Sequence, residues 1–99
     1  MKSFRSCQNM RIFDKDNNIA DGDYILEEVQ LIFRVKKGYL DDEPDEQGIM
    51  LPAVETFDGS HVEHWKNGVL HCETEPAVVD NLSHYEEWWL NGKLVESKE

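Results

Sequence analysis

The sequence predicts a mainly β protein, an antiparallel meander of short β-hairpin repeats, with room for one short helix in the N-terminal third. Three observations lead there. Residues 52–71 and 76–95 align without a gap at an offset of 24. Each copy is centred on Asn-Gly with a Trp two residues before it. Short extended runs flank each Asn-Gly pair, and that pair is the preferred centre of a type I′ hairpin turn because both of its residues take positive φ.

The repeat is dense. Eight of the twenty aligned columns are identical: Pro52/Pro76, Ala53/Ala77, Val54/Val78, Glu63/Glu87, Trp65/Trp89, Asn67/Asn91, Gly68/Gly92 and Leu70/Leu94. Average residue usage gives about one or two matches by chance, and self-similarity at this period marks a stacked architecture. Within each unit, His61 to Trp65 and Tyr85 to Trp89 read as the strand before the turn, and Val69 to His71 and Lys93 to Val95 as the strand after it. Asp58-Gly59 and Asn81-Leu82-Ser83 supply an earlier turn. Pro52 and Pro76 fall at strand starts, where a missing N–H does no harm.

A more degenerate copy precedes these two. Lys36-Lys37-Gly38-Tyr39-Leu40 is similar to Lys66-Asn67-Gly68-Val69-Leu70, with Val35 in the Trp place. The spacing from Leu40 to Pro52 is about six residues longer than from Leu70 to Pro76, and the surplus falls on the acidic stretch 41–48. Farther upstream, Tyr24 to Val35 reads as one long strand, although Leu26-Glu27-Glu28-Val29 could start a short helix. Arg11-Ile12-Phe13 and Ile19-Ala20 read as one more hairpin around Asp14–Asn18. The expected organisation is a single domain over 1–99, with N-terminal hairpins and acidic loop in 1–48 and the two 24-residue repeats in 49–96.

Period-2 alternation puts His61, Glu63 and Trp65 on one face with Tyr85, Glu87 and Trp89 beside them. Val62, His64 and Lys66 share the other face with Glu86, Trp88 and Leu90. Neither face is purely apolar, which predicts a thin sheet partly exposed on both sides.

At 39% apolar and 10% aromatic the chain has the composition of a folded domain. No run approaches the roughly 20 apolar residues of a membrane helix. The first ten residues lack an apolar core and a small-residue cleavage site, so no secretory leader is expected. Cys7 and Cys72 lie far apart outside any spaced motif, which suits two reduced thiols in the cytoplasm. The formal net charge is −11, and it is uneven. Residues 1–20 hold four basic and two acidic side chains, net +2, whereas 21–99 hold six and nineteen, net −13. Such a field disfavours nucleic acid and anionic membrane. It attracts a basic protein surface, or simply keeps a small protein soluble.

Around Trp65-Lys66-Asn67-Gly68-Val69-Leu70-His71 and Trp89-Leu90-Asn91-Gly92-Lys93-Leu94 the chain resembles the MORN repeat group. The closer likeness is to a degenerate bacterial and phage variant in which Pro-Ala-Val alternates with Trp-x-x-Asn-Gly-x-Leu-His. The resemblance covers about residues 50–96; the Gly-containing second half of the usual unit is absent, and Val95 stands where His is typical. It implies an elongated hairpin array serving as a binding scaffold for partner proteins, with no shared catalytic residues.

The remaining chemistry is sparse. His61, His64, His71, Cys72 and His84 lie near the repeat, but strand alternation sends His61 and His64, and His71 and Cys72, to opposite faces, so no metal and no cofactor are expected. Asp14-x-Asp16-x-Asn18 opens like a calcium loop but carries Ile19 where Gly is needed and Ile25 where Glu is needed, so an Asx-rich turn is expected. No nucleophile motif surrounds Cys7, Cys72, Ser60 or Ser83. The functional expectation is a small, acidic, non-catalytic binding or inhibitor protein. It would dock on a basic partner, a nucleic-acid-binding protein among the candidates, with a phage-type anti-defence inhibitor mimicking nucleic-acid charge as the sharpest form. The alternative is a structural module acting by self-association, and the oligomeric state is left open. The expected contact residues are Asp41, Asp42, Glu43, Asp45 and Glu46 in the acidic stretch, with Glu63, Glu86, Glu87 and Trp88 on the repeats.

Overall fold

A computed structural model describes residues 3–98. Repeated tight turns fold the chain back on itself so often that almost every strand pairs antiparallel with its sequence neighbour. The strands are β1 (Gly22–Leu26), β2 (Leu31–Lys36), β3 (Tyr39–Leu40), β4 (Glu43–Pro44), β5 (Met50–Leu51), β6 (Val54–Thr56), β7 (His61–Glu63), β8 (Trp65–Lys66), β9 (Val69–Leu70), β10 (Val78–Asp80), β11 (Tyr85–Leu90) and β12 (Lys93–Lys98). The main sheet runs β1-β2-β6-β7-β10-β11-β12, with β3 paired to β2. β4-β5 and β8-β9 form separate two-stranded hairpins.

Three units repeat in space. Their turns are Lys37-Gly38, Asn67-Gly68 and Asn91-Gly92, and all six residues have positive φ, between 49° and 86°. That is the type I′ geometry expected of Asn-Gly, and Lys37 adopts it as well. The turns stack. Gly38 N–H donates to Ala20 C=O, Gly68 N–H to Leu40 C=O and Gly92 N–H to Leu70 C=O, at 2.9–3.0 Å. Stacking also explains why the second turn residue is Gly: a Cβ at Gly68 would sit 2.7 Å from Tyr39 Cδ1, and one at Gly92 would sit 3.2 Å from Val69 Cβ. The described chain measures 39 × 30 × 27 Å with a radius of gyration of 12.9 Å, matching the ~13 Å of a globular 100-residue chain. Three units make a short stack, not the elongated array implied by the resemblance.

Several expectations need correction. The stretch Tyr24 to Val35 is not one strand: β1 and β2 pair Gly22 with Val35 through Leu26 with Leu31, and 27–30 is a turn closed by Gln30 at φ 56°. No helix starts at Leu26; the helical segment among the described residues is a 3-10 turn at Arg5–Cys7. The acidic stretch is partly ordered, since Glu43 pairs with Leu51 and Pro44 with Met50 in the β4-β5 hairpin. Near the N-terminus, Phe13 and Ile19 form a bridge, and Asp14 Oδ1 accepts from Asp16 and Asn18 N–H, so the Asx turn stands where it was expected.

The largest correction concerns the sheet faces. The face carrying Trp65 and Trp89 is not half-exposed. Leu31, Val35, Leu40, Ala53, Val54, Trp65, Leu70, Ala77, Val78 and Trp89 are buried there as one core, with Phe4, Cys7 and Ile12 of the N-terminal segment packed against it. The polar side chains on that face are buried too, because they satisfy each other. In the second unit Glu63 accepts from Trp65 Nε1–H at 3.0 Å and pairs with His61 Nε2 at 2.8 Å. His61 Nδ1 lies 2.9 Å from Asp80. In the third unit Glu87 accepts from Trp89 Nε1–H at 2.8 Å and from the Tyr85 hydroxyl. In the first unit Leu31, Phe33 and Val35 occupy the same three columns and need no such network.

Candidate functional site

The long connection that separates the first unit from the second builds the most distinctive local structure. Asp41 and Asp42 leave β3, the β4-β5 hairpin projects, and Pro52-Ala53 re-enters the sheet. Asp45 shapes the hairpin tip by accepting from Gln47 N–H and Ile49 N–H through Oδ1, at 2.8 and 2.9 Å. Gly48 completes the tip at φ 84°. The hairpin therefore holds Glu43, Asp45 and Glu46 in an ordered frame, with Ile49 64% and Met50 51% exposed beside them. Among the described residues no cation pairs with Glu43, Asp45 or Glu46.

Asp42 does a different job. Its Oδ1 accepts from Ala53 N–H at 2.7 Å and Trp65 N–H at 2.9 Å, which pins the base of the hairpin to the second unit. Its Oδ2 contacts His64 Nδ1 at 2.7 Å. His64 Nε2 in turn meets Glu75 Oε1 at 2.9 Å. Asp42 raises the His64 pKa, and burial only partly opposes it. Asp41 is pushed up, chiefly by burial. These groups line a cleft of about 550 Å³ between the acidic connection and residues 71–75, with His71, Cys72, Glu73 and Thr74 on its far wall.

Equivalent columns explain the opposite face, where Arg34 is buried and His64 and Trp88 are half-buried. Arg34, His64 and Trp88 occupy one column of the three units. Arg34 Nη1 donates to Glu55 at 2.5 Å and to Pro52 C=O at 2.7 Å, with Asp23 at 3.7 Å from Nε. His64 is held by Asp42 and Glu75. Trp88 carries Lys98 over its ring at 5.3 Å. Two basic side chains of this face are thus already neutralised by acids, and Trp88 is half-covered.

The expected contact residues separate into three groups. Asp41, Glu43, Asp45, Glu46 and Glu86 are at least partly exposed. Asp42 and Trp88 are half-buried and engaged within the fold. Glu63 and Glu87 are 0% exposed, so no partner reaches them; as hydrogen-bond acceptors for the indoles beside them they belong to the core. The cluster His64, Cys72 and Glu75 was not assembled from the sequence at all. Strand parity separates neighbours such as His71 and Cys72, but it says nothing about pairs brought together across a turn.

No family model, curated protein or solved structure matches this chain. Among the described residues no helix is long and apolar enough to cross a membrane. Cys7 and Cys72 are unpaired.

Proposed function

We propose that the protein is a non-catalytic, cytoplasmic binding module that docks on a basic partner protein through the β4-β5 hairpin, with the MORN-like units as its scaffold. The observation that carries this reading is the hairpin itself. It is an insertion between two units that otherwise stack directly, it is ordered by Asp45, and it offers uncompensated acids together with exposed Ile49 and Met50. Apolar contacts flanked by charge are the usual composition of a protein-binding patch, and the charge steers the encounter. The net charge of −11 argues against nucleic acid as the direct ligand and suits a partner that itself binds phosphates. An inhibitor presenting nucleic-acid-like charge, of the phage anti-defence kind, is the sharpest form of the proposal.

The test is affinity capture with the intact chain, followed by measurement of the isolated complex in rising salt. A basic partner is expected, with affinity falling steeply between about 50 and 500 mM salt as the Debye length shrinks from over 10 Å to a few ångströms. The triple variant E43Q/D45N/E46Q should weaken the complex and flatten that salt dependence. A partner without a basic surface, or a complex indifferent to these changes, overturns the reading. A second reading, self-association, is favoured by the open edge of β12, whose six residues are all exposed. Lys93, Glu96 and Lys98 along it are the charged side chains that usually protect such an edge. Light scattering separates the two: a concentrated sample that stays monomeric removes the second.

A further inference from the structure

We propose that His64, Cys72 and Glu75 form a zinc-binding site, with Asp42 orienting the histidine from behind. The side-chain donor atoms of the three residues lie within 4.8 Å of one another. Zinc bonds of about 2.0–2.3 Å place tetrahedral donors about 3.3–3.8 Å apart. At most about 1.5 Å of contraction separates the present arrangement from a coordination shell. Cys72 and Glu75 sit on the loop after β9. Glu75, with its side chain 58% exposed, is the freest of the three to move, because His64 is fixed and Cys72 packs against the core with its N–H on Trp89 C=O.

His64 has the environment of a metal ligand in detail. Asp42 Oδ2 lies 2.7 Å from Nδ1, the carboxylate–histidine arrangement that sets the tautomer and leaves Nε2 to bind metal. Asp42 is itself locked by the two backbone N–H groups of Ala53 and Trp65. Nε2 points at Glu75, 2.9 Å away, toward the loop that carries Cys72. A zinc ion would take the place of the proton shared by Nε2 and Glu75, and would bind Cys72 as its thiolate; the displaced protons pass to solvent. His64, Cys72 and Glu75 line one cleft with Asp41, His71 and Glu73, and water there would complete the shell. The His–Cys–Glu donor set, with its one thiolate and one imidazole, favours zinc over the hard cations magnesium and calcium.

The site does not depend on the docking proposal, because it is complete within one chain and lies beneath the hairpin's base, not at its tip. The test is titration of the purified, reduced full-length protein with Zn²⁺ against a chromophoric chelator, and with Co²⁺ as a spectroscopic probe. One equivalent of metal should bind, and the cobalt form should show thiolate-to-metal charge-transfer absorption. C72S and H64Q should each lower zinc affinity at least tenfold and C72S should abolish the charge-transfer band, while C7S leaves both unchanged. D42N should weaken binding by about 10–100-fold, the usual effect of losing such an orienting carboxylate, with circular dichroism of each variant confirming that the sheet is intact. Failure to bind one equivalent of Zn²⁺, or binding that survives C72S in a folded protein, overturns the proposal. So does a charge-transfer band that is lost in C7S instead.

Discussion

Glu63 shows most clearly how residue type can mislead when position is ignored. One carboxylate serves His61 Nε2, Trp65 Nε1–H and the Phe4 backbone N–H, the last at 3.0 Å, and has no exposure to water. Converting it to an amide turns an acceptor into a donor facing donors, and strips the buried imidazolium of one counter-charge. E63Q should therefore lose about 3–5 kcal/mol of unfolding free energy, the usual cost of breaking a buried ion pair. E43Q on the exposed hairpin should change stability by less than about 0.5 kcal/mol. Chemical denaturation of the two variants checks this, and equal midpoints would remove the argument. The sequence held the clue. Glu63 and Glu87 are one of only eight identical columns and share strand parity with the tryptophans, which marks them as structural. Carboxylates are seldom fully buried unless paired, and the side chains that complete the pairing, His61 for Glu63 and Tyr85 for Glu87, come from a column that differs between the copies.

At the scale of the element, the turns were the legible part and the strand limits were not. Asn67-Gly68 and Asn91-Gly92 announce their conformation, and Lys37-Gly38 is legible by its likeness to them. The break at 27–30 is invisible in the sequence because Gln30, with φ 56°, is not a residue that advertises a turn, and the apolar runs on either side read as continuous. The stacked turns make a specific prediction about glycine. Gly48 and Gly68 have nearly the same backbone, at φ 84° and 86°. A Cβ at Gly48 meets nothing within 4 Å, whereas one at Gly68 meets Tyr39 at 2.7 Å. G48A should cost about 1–2 kcal/mol, from backbone strain alone. G68A should exceed it by at least about 1 kcal/mol, because overpacking is added. If the two variants unfold at the same denaturant concentration, the turns do not stack as described.

For the whole molecule, the buried charges set how stability depends on pH. Burial alone would lower the His61 pKa, but Glu63 and Asp80 outweigh it and raise the group above its ordinary 6.5. Burial likewise pushes Asp80 upward, yet the His61 hydrogen bond and the Ser83 backbone N–H hold it down at about 2 against an ordinary 3.8. A raised histidine contributes stability that is complete below pH 6.5 and is lost as pH climbs through the folded-state pKa. A lowered aspartate contributes stability that is complete above pH 3.8 and is lost as pH falls toward 2. Stability should thus be greatest between about pH 4 and 6.5 and decline on both sides. H61Q should lose part of the alkaline decline, with His64 supplying the remainder. Denaturation midpoints that rise steadily from pH 6 to 9 would contradict the charged state of His61. None of this was legible beforehand, since the network is closed only by the pairing of β7 with β10, which brings His61 opposite Asp80.

In the proposed function the units are scaffold and the inserted hairpin is the contact element. The most direct measurement replaces residues 45–49 by Asn-Gly, so that Pro44 and Met50 are joined by a minimal turn, and records thermal unfolding and partner binding on the same sample. The account predicts a melting temperature within about 4–8 °C of the parent, equivalent to no more than about 1 kcal/mol, together with loss of the complex. Full binding by the shortened protein, or its failure to fold, would contradict it.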